Sequence, residues 1–266
     1  MKKKESVRYE ELLPEEFTRR INACPIAYLP LGTLEWHGQH LPLGADGIQA
    51  RGVMEILAER VGGIVLPMLF LGPDGILLEK DGIKYHGMDV MSFYEGMPQQ
   101  LEGSAYAITD DLYFAILDAV FYNLARAGFK AVVGHGHGPS TEQLTSHREI
   151  LAKRHGMKVF NLWELGVGEG NDRGLQTDHA AFNETSITLG LRPDLVDLSA
   201  LPSDGTLIGV AGTDPRTNAT VQSGTDIINE NVDMIARALD VIAKTLECPD
   251  RKIDYVKVKN LPRCLD

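Results

Sequence analysis

Two pairs of side chains in this sequence have a spacing that suits metal ligands. Glu35 and His37 stand two residues apart, and His135 and His137 repeat this spacing further along the chain. In an extended backbone, residues i and i+2 point to the same side, so each pair can present two ligand groups in one direction. Asp46 stands at the expected start of a helix, where its carboxylate could bridge two cations. Because imidazole and carboxylate together suit zinc, manganese or iron(II), these residues predict a divalent metal site.

The segment TDHAAFNETS, residues 177–186, carries a third group of polar side chains. Asp178 and His179 are adjacent, and Glu184 follows five residues after His179. In a helix this spacing places the imidazole and the carboxylate only loosely on one face. Taken alone, the segment is typical of a helix N-cap at Thr177 or Asp178 followed by solvated polar residues.

Each paired motif follows an apolar run that is typical of a buried strand, at residues 25–31 and 130–134. Further strands are expected at 64–70 and 157–162, and helices at 10–22, after Asp46, and at 110–127, 140–155, 178–190 and 225–246. Strands that alternate with helices predict an α/β fold with a parallel sheet covered on both faces. Since ligands bind beyond the carboxyl ends of such strands, both motifs fall where a site is expected.

Residues 71–103 form a long Gly-rich segment without a regular hydrophobic period. A loop of this length is uncommon in a compact domain and is often a functional lid, so we expect a lid here. His86 lies within the segment. A solvated loop histidine is the favoured interpretation of His86 over a contact with substrate.

The composition restricts the class of protein. Of 266 residues, 44% are hydrophobic and 24% charged, which excludes disorder and collagen-like structure as the main state. The net charge of −11 argues against a nucleic-acid or anionic-membrane partner. No apolar run suits a membrane span, and the first residues lack the apolar region of a secretory signal. Three widely spaced cysteines, Cys24, Cys248 and Cys264, predict no disulfide framework, so we expect a cytoplasmic location.

Four ordered motifs resemble the creatininase (creatinine amidohydrolase) family. They are GTLEWHGQHLPLGAD, VVGHGHG and DHAAFNETS, which hold the polar groups above, and GVAGTDPRTNATVQSG at residues 209–224, before the last helix. The resemblance implies a three-layer α/β/α sandwich with a mainly parallel central sheet, as a single domain over residues 1–266. It also implies two divalent metal ions, hydrolysis of a small cyclic substrate, and a homo-oligomer that is typically a hexamer.

The family's site residues can be carried over onto matching positions of this chain. The resemblance implies that Glu35, Asp46 and His135 hold one metal ion. It implies that His37, Asp46 and His137 hold the other, so that Asp46 bridges the two ions.

The third motif supplies the remaining functional residues that the resemblance implies. His179 would be the catalytic acid or base, since histidine titrates near neutral pH. Asp178 could fix the tautomer of His179. Glu184 is expected either to contact and orient the metal ligands or to be a further metal ligand itself, particularly if His137 does not bind.

The sequence departs from the family pattern at His137, where creatininase itself has a carboxylate. A neutral imidazole there makes the net charge of the site more positive by one. The leading expectation is hydrolysis of the C–N bond of a cyclic amide, such as creatinine or a lactam. One alternative is hydrolytic C–C cleavage of a cyclic ketone such as an oxidised cyclitol. An alternative of another class is a non-catalytic binding protein on the same fold.

Overall fold

Four parallel strands form the central sheet of the computed structural model, which describes residues 5–74, 76–80, 82–87, 105–168 and 171–253. The strands are β1 (Ile26–Leu31), β2 (Ile64–Val65), β7 (Ala131–Gly136) and β8 (Lys158–Asn161), in the spatial order β2–β1–β7–β8. The register places Pro30 opposite His135. All four carboxyl ends therefore lie at one edge of the sheet.

Nine helices belong to the part of the chain that the structure describes. They are α1 (Pro14–Ala23), α2 (Ala45–Arg60), α3 (Asp110–Ala127), α4 (Gly138–Ser146), α5 (Arg148–His155), α6 (Leu162–Leu165), α7 (Phe182–Leu191), α8 (Pro215–Asn218) and α9 (Val221–Ala243). Short 3-10 turns cover Tyr9–Glu11, Pro193–Leu195 and Leu198–Ala200. Among the described helices, none combines the length and the apolar character that crossing a bilayer requires.

The helices cover both faces of the sheet because side chains alternate along each strand. Ile26 and Tyr28 of β1 point into one core with apolar residues of α2, α7 and α9. Ala27, Leu29 and Leu31 point into a second core, with residues of α1, α3, α4 and α5. The predicted α/β fold with a mainly parallel sheet between two helical layers is thus confirmed.

Two small strand pairs, separate from the main sheet, include residues of the segment 71–103, which the sequence predicts to be an irregular lid. β3 (Gly72–Pro73) pairs in parallel with β6 (Ala107–Ile108), and β4 (Ile76–Lys80) pairs antiparallel with β5 (Ile83–His86). The expectation of one continuous irregular loop is therefore corrected for residues 72–73, 76–80 and 83–86. The rest of the expected lid, residues 88–103, lies outside the described residues, as does Cys264.

Several elements end earlier than the hydrophobic pattern predicts. β2 stops before Pro67, which has no N–H to donate to the ladder, although Leu69 still bridges to Leu31. The helix expected at 140–155 is divided at His147 into α4 and α5. The Thr145 hydroxyl donates to the carbonyl of Thr141 at 2.8 Å, and such side-chain bonds compete with the helical ladder.

Candidate metal centre

Ionisable side chains converge where β1 and β7 end. Glu35 and His37 lie in the loop after β1, Asp46 lies in the first turn of α2, and His137 lies between β7 and α4. Glu184 comes from the first turn of α7. The exposed fraction of each of these residues is 4% or less. Buried charges are stable only when they are paired or bind a cation, so the cluster requires a chemical explanation.

The first group of possible ligands consists of Glu35, Asp46 and His137. His137 Nδ1 lies 3.1 Å from Glu35 Oε1 and 3.2 Å from Asp46 Oδ2. Ligands that each lie about 2.0–2.2 Å from one cation are about 3–3.5 Å apart, so this spacing fits a divalent ion.

The second group consists of His37, Asp46 and Glu184. His37 Nε2 lies 3.4 Å from Asp46 Oδ1 and 3.7 Å from Glu184 Oε2. This nitrogen is buried and makes no hydrogen bond to the described residues, as expected of an atom that faces a cation. Asp46 thus contributes one carboxylate oxygen to each group.

A third possible group joins His179 to the same cluster, together with Glu35 and His37. The rings of His37 and His179 are stacked, with their centroids 4.3 Å apart. The structure therefore brings together six of the residues singled out from the sequence, namely Glu35, His37, Asp46, His137, His179 and Glu184.

His135 belongs to none of the three groups. It is buried in β7, edge-on to the ring of Trp163 at 5.0 Å between centroids. Burial lowers its pKa to about 3, so the imidazole is neutral. Both of its ring nitrogens are buried without a hydrogen-bond partner among the described residues, so a ligand role for His135 stays a prediction. The grouping therefore differs from the one that the resemblance implies: His137 takes the place beside Glu35 and Asp46, and Glu184 joins His37.

The electrostatics of the cluster favour positive charge at its centre. Burial opposes protonation of His37, but the carboxylates of Asp46, Glu184 and Glu35 outweigh it and raise its pKa to about 10. Burial likewise opposes protonation of His137, and Glu35 and Asp46 raise its pKa well above the usual range. In the absence of metal, protons on these two rings supply the positive charge that a bound cation would otherwise supply.

The two carboxylates of the second group respond in opposite directions. Burial would raise the pKa of Asp46, but His37 and His137 hold it well below its usual range. Burial, together with the charge of Asp46, raises the pKa of Glu184 well above its usual range. A cation bound between them would relieve this repulsion.

His179 lies just before α7, outside the helix expected at 178–190, and is held by the main chain. Its N–H and carbonyl exchange two hydrogen bonds with Ala211, and its Nε2 lies 2.8 Å from the carbonyl oxygen of Trp36. Because a carbonyl oxygen only accepts, Nε2 carries the proton and Nδ1 is left unprotonated. Burial and the positive charge of His37 lower the pKa of His179 to about 4.

Asp178 caps α7 and does not fix the ring of His179, which is the role expected from the sequence. Its two carboxylate oxygens accept the backbone N–H groups of Asn183 at 2.7 Å and Glu184 at 3.1 Å. Carboxylates are favoured at this position because the helix N-terminus carries partial positive charge. The Asp178 side chain thus caps the helix, although the N-cap residue itself is Ala181, and it fixes the start of α7. The polar residues that follow, such as Glu184, are buried and not solvated as expected from the segment alone.

A cavity of about 380 Å³ opens over the cluster. Its lining includes two residues that sequence reasoning missed, Asp74 and Gln176. Asp74 follows β3, and no local pattern in a Gly-rich segment points to it. Gln176 belongs to no ligand spacing, and only the folded chain places it at the site. The volume suits a small molecule.

Comparisons by sequence and by fold both find creatinine amidohydrolases. The sequence model of the Creatininase family, described as creatinine amidohydrolase, matches residues 10–83. A curated creatinine amidohydrolase from Pseudomonas putida is 25% identical over 216 residues, which cover 73% of this chain and 75% of that protein.

Solved structures extend the match to most of the fold. A crystal structure of creatinine amidohydrolase (creatininase) has a TM-score of 0.69 and 22% identity, and the match covers 90% of this chain and 99% of that one. A manganese form of creatininase and a zinc–zinc form of a creatininase mutant give TM-scores of 0.67 and 0.68, with the same identity and coverage.

Fold and site together define an α/β protein with a buried carboxylate–histidine cluster at the carboxyl ends of its strands. The predicted resemblance to the creatininase family is confirmed by the matches of sequence and fold. The chain is similar to creatinine amidohydrolases of that family in sequence and in fold.

Proposed function

We propose that this chain is a divalent-metal-dependent amidohydrolase that opens a small cyclic amide at its C–N bond. One observation carries the proposal: Asp46 lies between two groups of buried ligands, with one oxygen in each. Glu35, Asp46 and His137 would hold one ion, and His37, Asp46 and Glu184 the other. Zinc and manganese are the favoured metals, because related solved structures carry them and because imidazole with carboxylate suits both.

Bound divalent cations would supply Lewis acidity, which polarises a carbonyl group and makes a water molecule acidic enough to attack it. The protein's own residues supply the rest of the chemistry. The unprotonated Nδ1 of His179 takes a proton from the attacking water and returns it to the leaving nitrogen. The hydrogen bond to the Trp36 carbonyl holds the ring in the tautomer that this transfer requires.

The cyclic amide is favoured as substrate because the relatives by sequence and by fold are creatinine amidohydrolases. The small cavity agrees with a substrate of that size. Ring opening of a cyclic ketone uses the same attack on a carbonyl carbon and releases a carboxylate without an amine. A non-catalytic binding protein would have lost one or more of the ligands, and all of the residues in the two groups are present.

The experiment measures metal content and ring opening on the same samples. Protein purified with zinc or manganese is assayed with creatinine, with small lactams and with a cyclic ketone, before and after removal of metal by a chelator. We expect about two ions per chain, and activity on a cyclic amide that is lost with the metal and restored by reloading. Full activity after metal removal would overturn the proposal, and a product without a new amine would favour the ketone.

Variants separate the two ion sites. Asp46→Ala should lose both ions, whereas Glu35→Gln and Glu184→Gln should each lose one, since each carboxylate belongs to a different group. Asp233→Ala is a suitable control, because Asp233 is an exposed carboxylate on α9 that pairs with Arg60. Retention of both ions by Asp46→Ala would contradict the shared-ligand arrangement.

A further inference from the structure

The backbone of Gln176 adopts a conformation that is uncommon for a residue with a side chain. Its φ is +52°, in the left-handed region. The residues on either side of Gln176 are each hydrogen-bonded to a side chain from a different helix, α6 or α7. The indole N–H of Trp163 donates to the carbonyl of Leu175 at 2.7 Å, and the N–H of Thr177 donates to Asn183 Oδ1 at 3.1 Å. The fold therefore maintains this conformation at a residue beside the site, where such strain is often functional.

The result of this conformation is that the side-chain amide of Gln176 reaches Asp46. Its Nε2 lies 3.2 Å from the backbone carbonyl oxygen of Asp46 and 3.2 Å from Asp46 Oδ1. Both of these atoms are acceptors, so the amide must turn its NH₂ group toward Asp46. Gln176 is 7% exposed, and it lines the cavity.

Asp46 is the residue whose orientation the centre depends on most. Its Oδ1 faces His37 and its Oδ2 faces His137, so a rotation of the carboxylate would disturb both ligand groups together. A donor that is bonded to the backbone oxygen and to Oδ1 of the same residue opposes that rotation. An amide does this without adding positive charge, which would repel cations from the centre.

We propose that Gln176 is a positioning residue that fixes the orientation of the Asp46 carboxylate and thereby sets the affinity of the centre for divalent metal. This inference rests on the proposed metal centre. Groups that hydrogen-bond to metal ligands typically change metal affinity by about 10- to 100-fold when they are removed.

The test uses two substitutions that remove the amide in different ways. Gln176→Gly removes the side chain and tolerates a positive φ, so the local backbone is preserved. Gln176→Met keeps the volume and loses only the donor. Gln49→Met is the matched control, since Gln49 is a buried glutamine on the same helix as Asp46 whose amide makes no hydrogen bond to the described residues.

Zinc affinity is measured on the full chain by competition with a chelator, and the visible spectrum of the cobalt-loaded protein reports ligand geometry. We expect both Gln176 variants to bind zinc about 10- to 100-fold more weakly and to show a changed cobalt spectrum, while Gln49→Met matches wild type. Zinc affinity of Gln176→Gly within about threefold of wild type, with an unchanged cobalt spectrum, overturns the role of Gln176 alone. If the wild-type protein binds neither zinc nor cobalt, the proposed metal centre is wrong, and so is this inference.

Discussion

The imidazole of His179 is held by the main chain of Trp36, with Nε2 2.8 Å from the carbonyl oxygen. A backbone carbonyl oxygen only accepts hydrogen bonds, and a side-chain substitution does not remove it. The loop after β1 therefore sets the tautomer of His179. The same loop carries Glu35 and His37, so the proposed proton-transfer residue is held beside two of the candidate ligands.

Replacement of His179 should affect chemistry more than binding of metal. We expect His179→Gln to lower kcat by about 100- to 10,000-fold, because proton transfer to the leaving nitrogen is lost. The first and second ligand groups do not include His179, so the metal content should stay at the wild-type value. Steady-state kinetics and metal analysis on one preparation check both statements. His147→Gln, at the junction of α4 and α5, is the control, and a kcat within tenfold of wild type would count against the role of His179.

Binding of metal should release protons. In metal-free protein at pH 7, the pKa of His37 is about 10 and that of His137 lies well above its usual range, so both rings are protonated. A ring that binds a cation must be neutral, and metal affinity should therefore rise with pH. Titration calorimetry with zinc in buffers of different ionisation enthalpy should show a release of about two protons, plus any that Glu184 carries.

A variant identifies the source of these protons. His137→Gln should release about one proton fewer than wild type, because the glutamine side chain does not titrate. Heats of binding that are identical in all buffers would show that the two rings are neutral before metal arrives, and would contradict the prediction.

Burial of His40 should make the metal-free protein less stable in mild acid. His40 Nε2 lies 2.8 Å from the Thr185 hydroxyl oxygen, and burial together with the charge of His37 lowers the pKa of His40 to about 4. The unfolded chain binds this proton near pH 6.5, so the contribution to the free energy of unfolding is complete above pH 6.5. It falls as the pH drops toward 4, by about 3 kcal/mol in total.

The measurement is urea unfolding of metal-free protein between pH 7 and pH 4. His40→Gln removes the titrating group, and its free energy of unfolding should fall less steeply over this range than that of wild type. The slopes are compared rather than the absolute values, since the substitution also changes a buried hydrogen bond. Parallel slopes for the two proteins would show that His40 does not couple to folding.

Gly136 is required by the turn that leads from β7 into the site. Its φ is +143°, and a Cβ at this position would collide with the backbone carbonyl of Leu31. We expect Gly136→Ala to lower the free energy of unfolding by about 3 kcal/mol or more, because neighbouring backbone must move. Gly138→Ala is the matched control: a Cβ there meets nothing within 4 Å, and stability should change by about 0.5 kcal/mol or less. Equal urea midpoints for the two variants would contradict this explanation.

The sequence predicts the bounds of an element accurately where the capping residues and the hydrophobic period indicate the same range. Helix α3 covers the predicted range, with Asp110 and Asp111 in its first turn and the left-handed Gly128 after it. The alternation of strands and helices gave the parallel sheet and the edge where the site lies. Predictions were poorer where one residue interrupts a pattern, as Pro67 does after β2.

The sequence by itself determined which residue types meet at this site, because the strand ends of a parallel sheet converge and the polar motifs follow those strands. It also determined the family resemblance, through four ordered motifs. Only the tertiary structure decided which of the candidate ligands lie close to one another. His137, and not His135, lies beside Glu35 and Asp46, and the Asp178 cap fixes the start of the helix that brings Glu184 to His37. Spacing along a chain fixes directions only while the backbone stays regular, and at the site it does not.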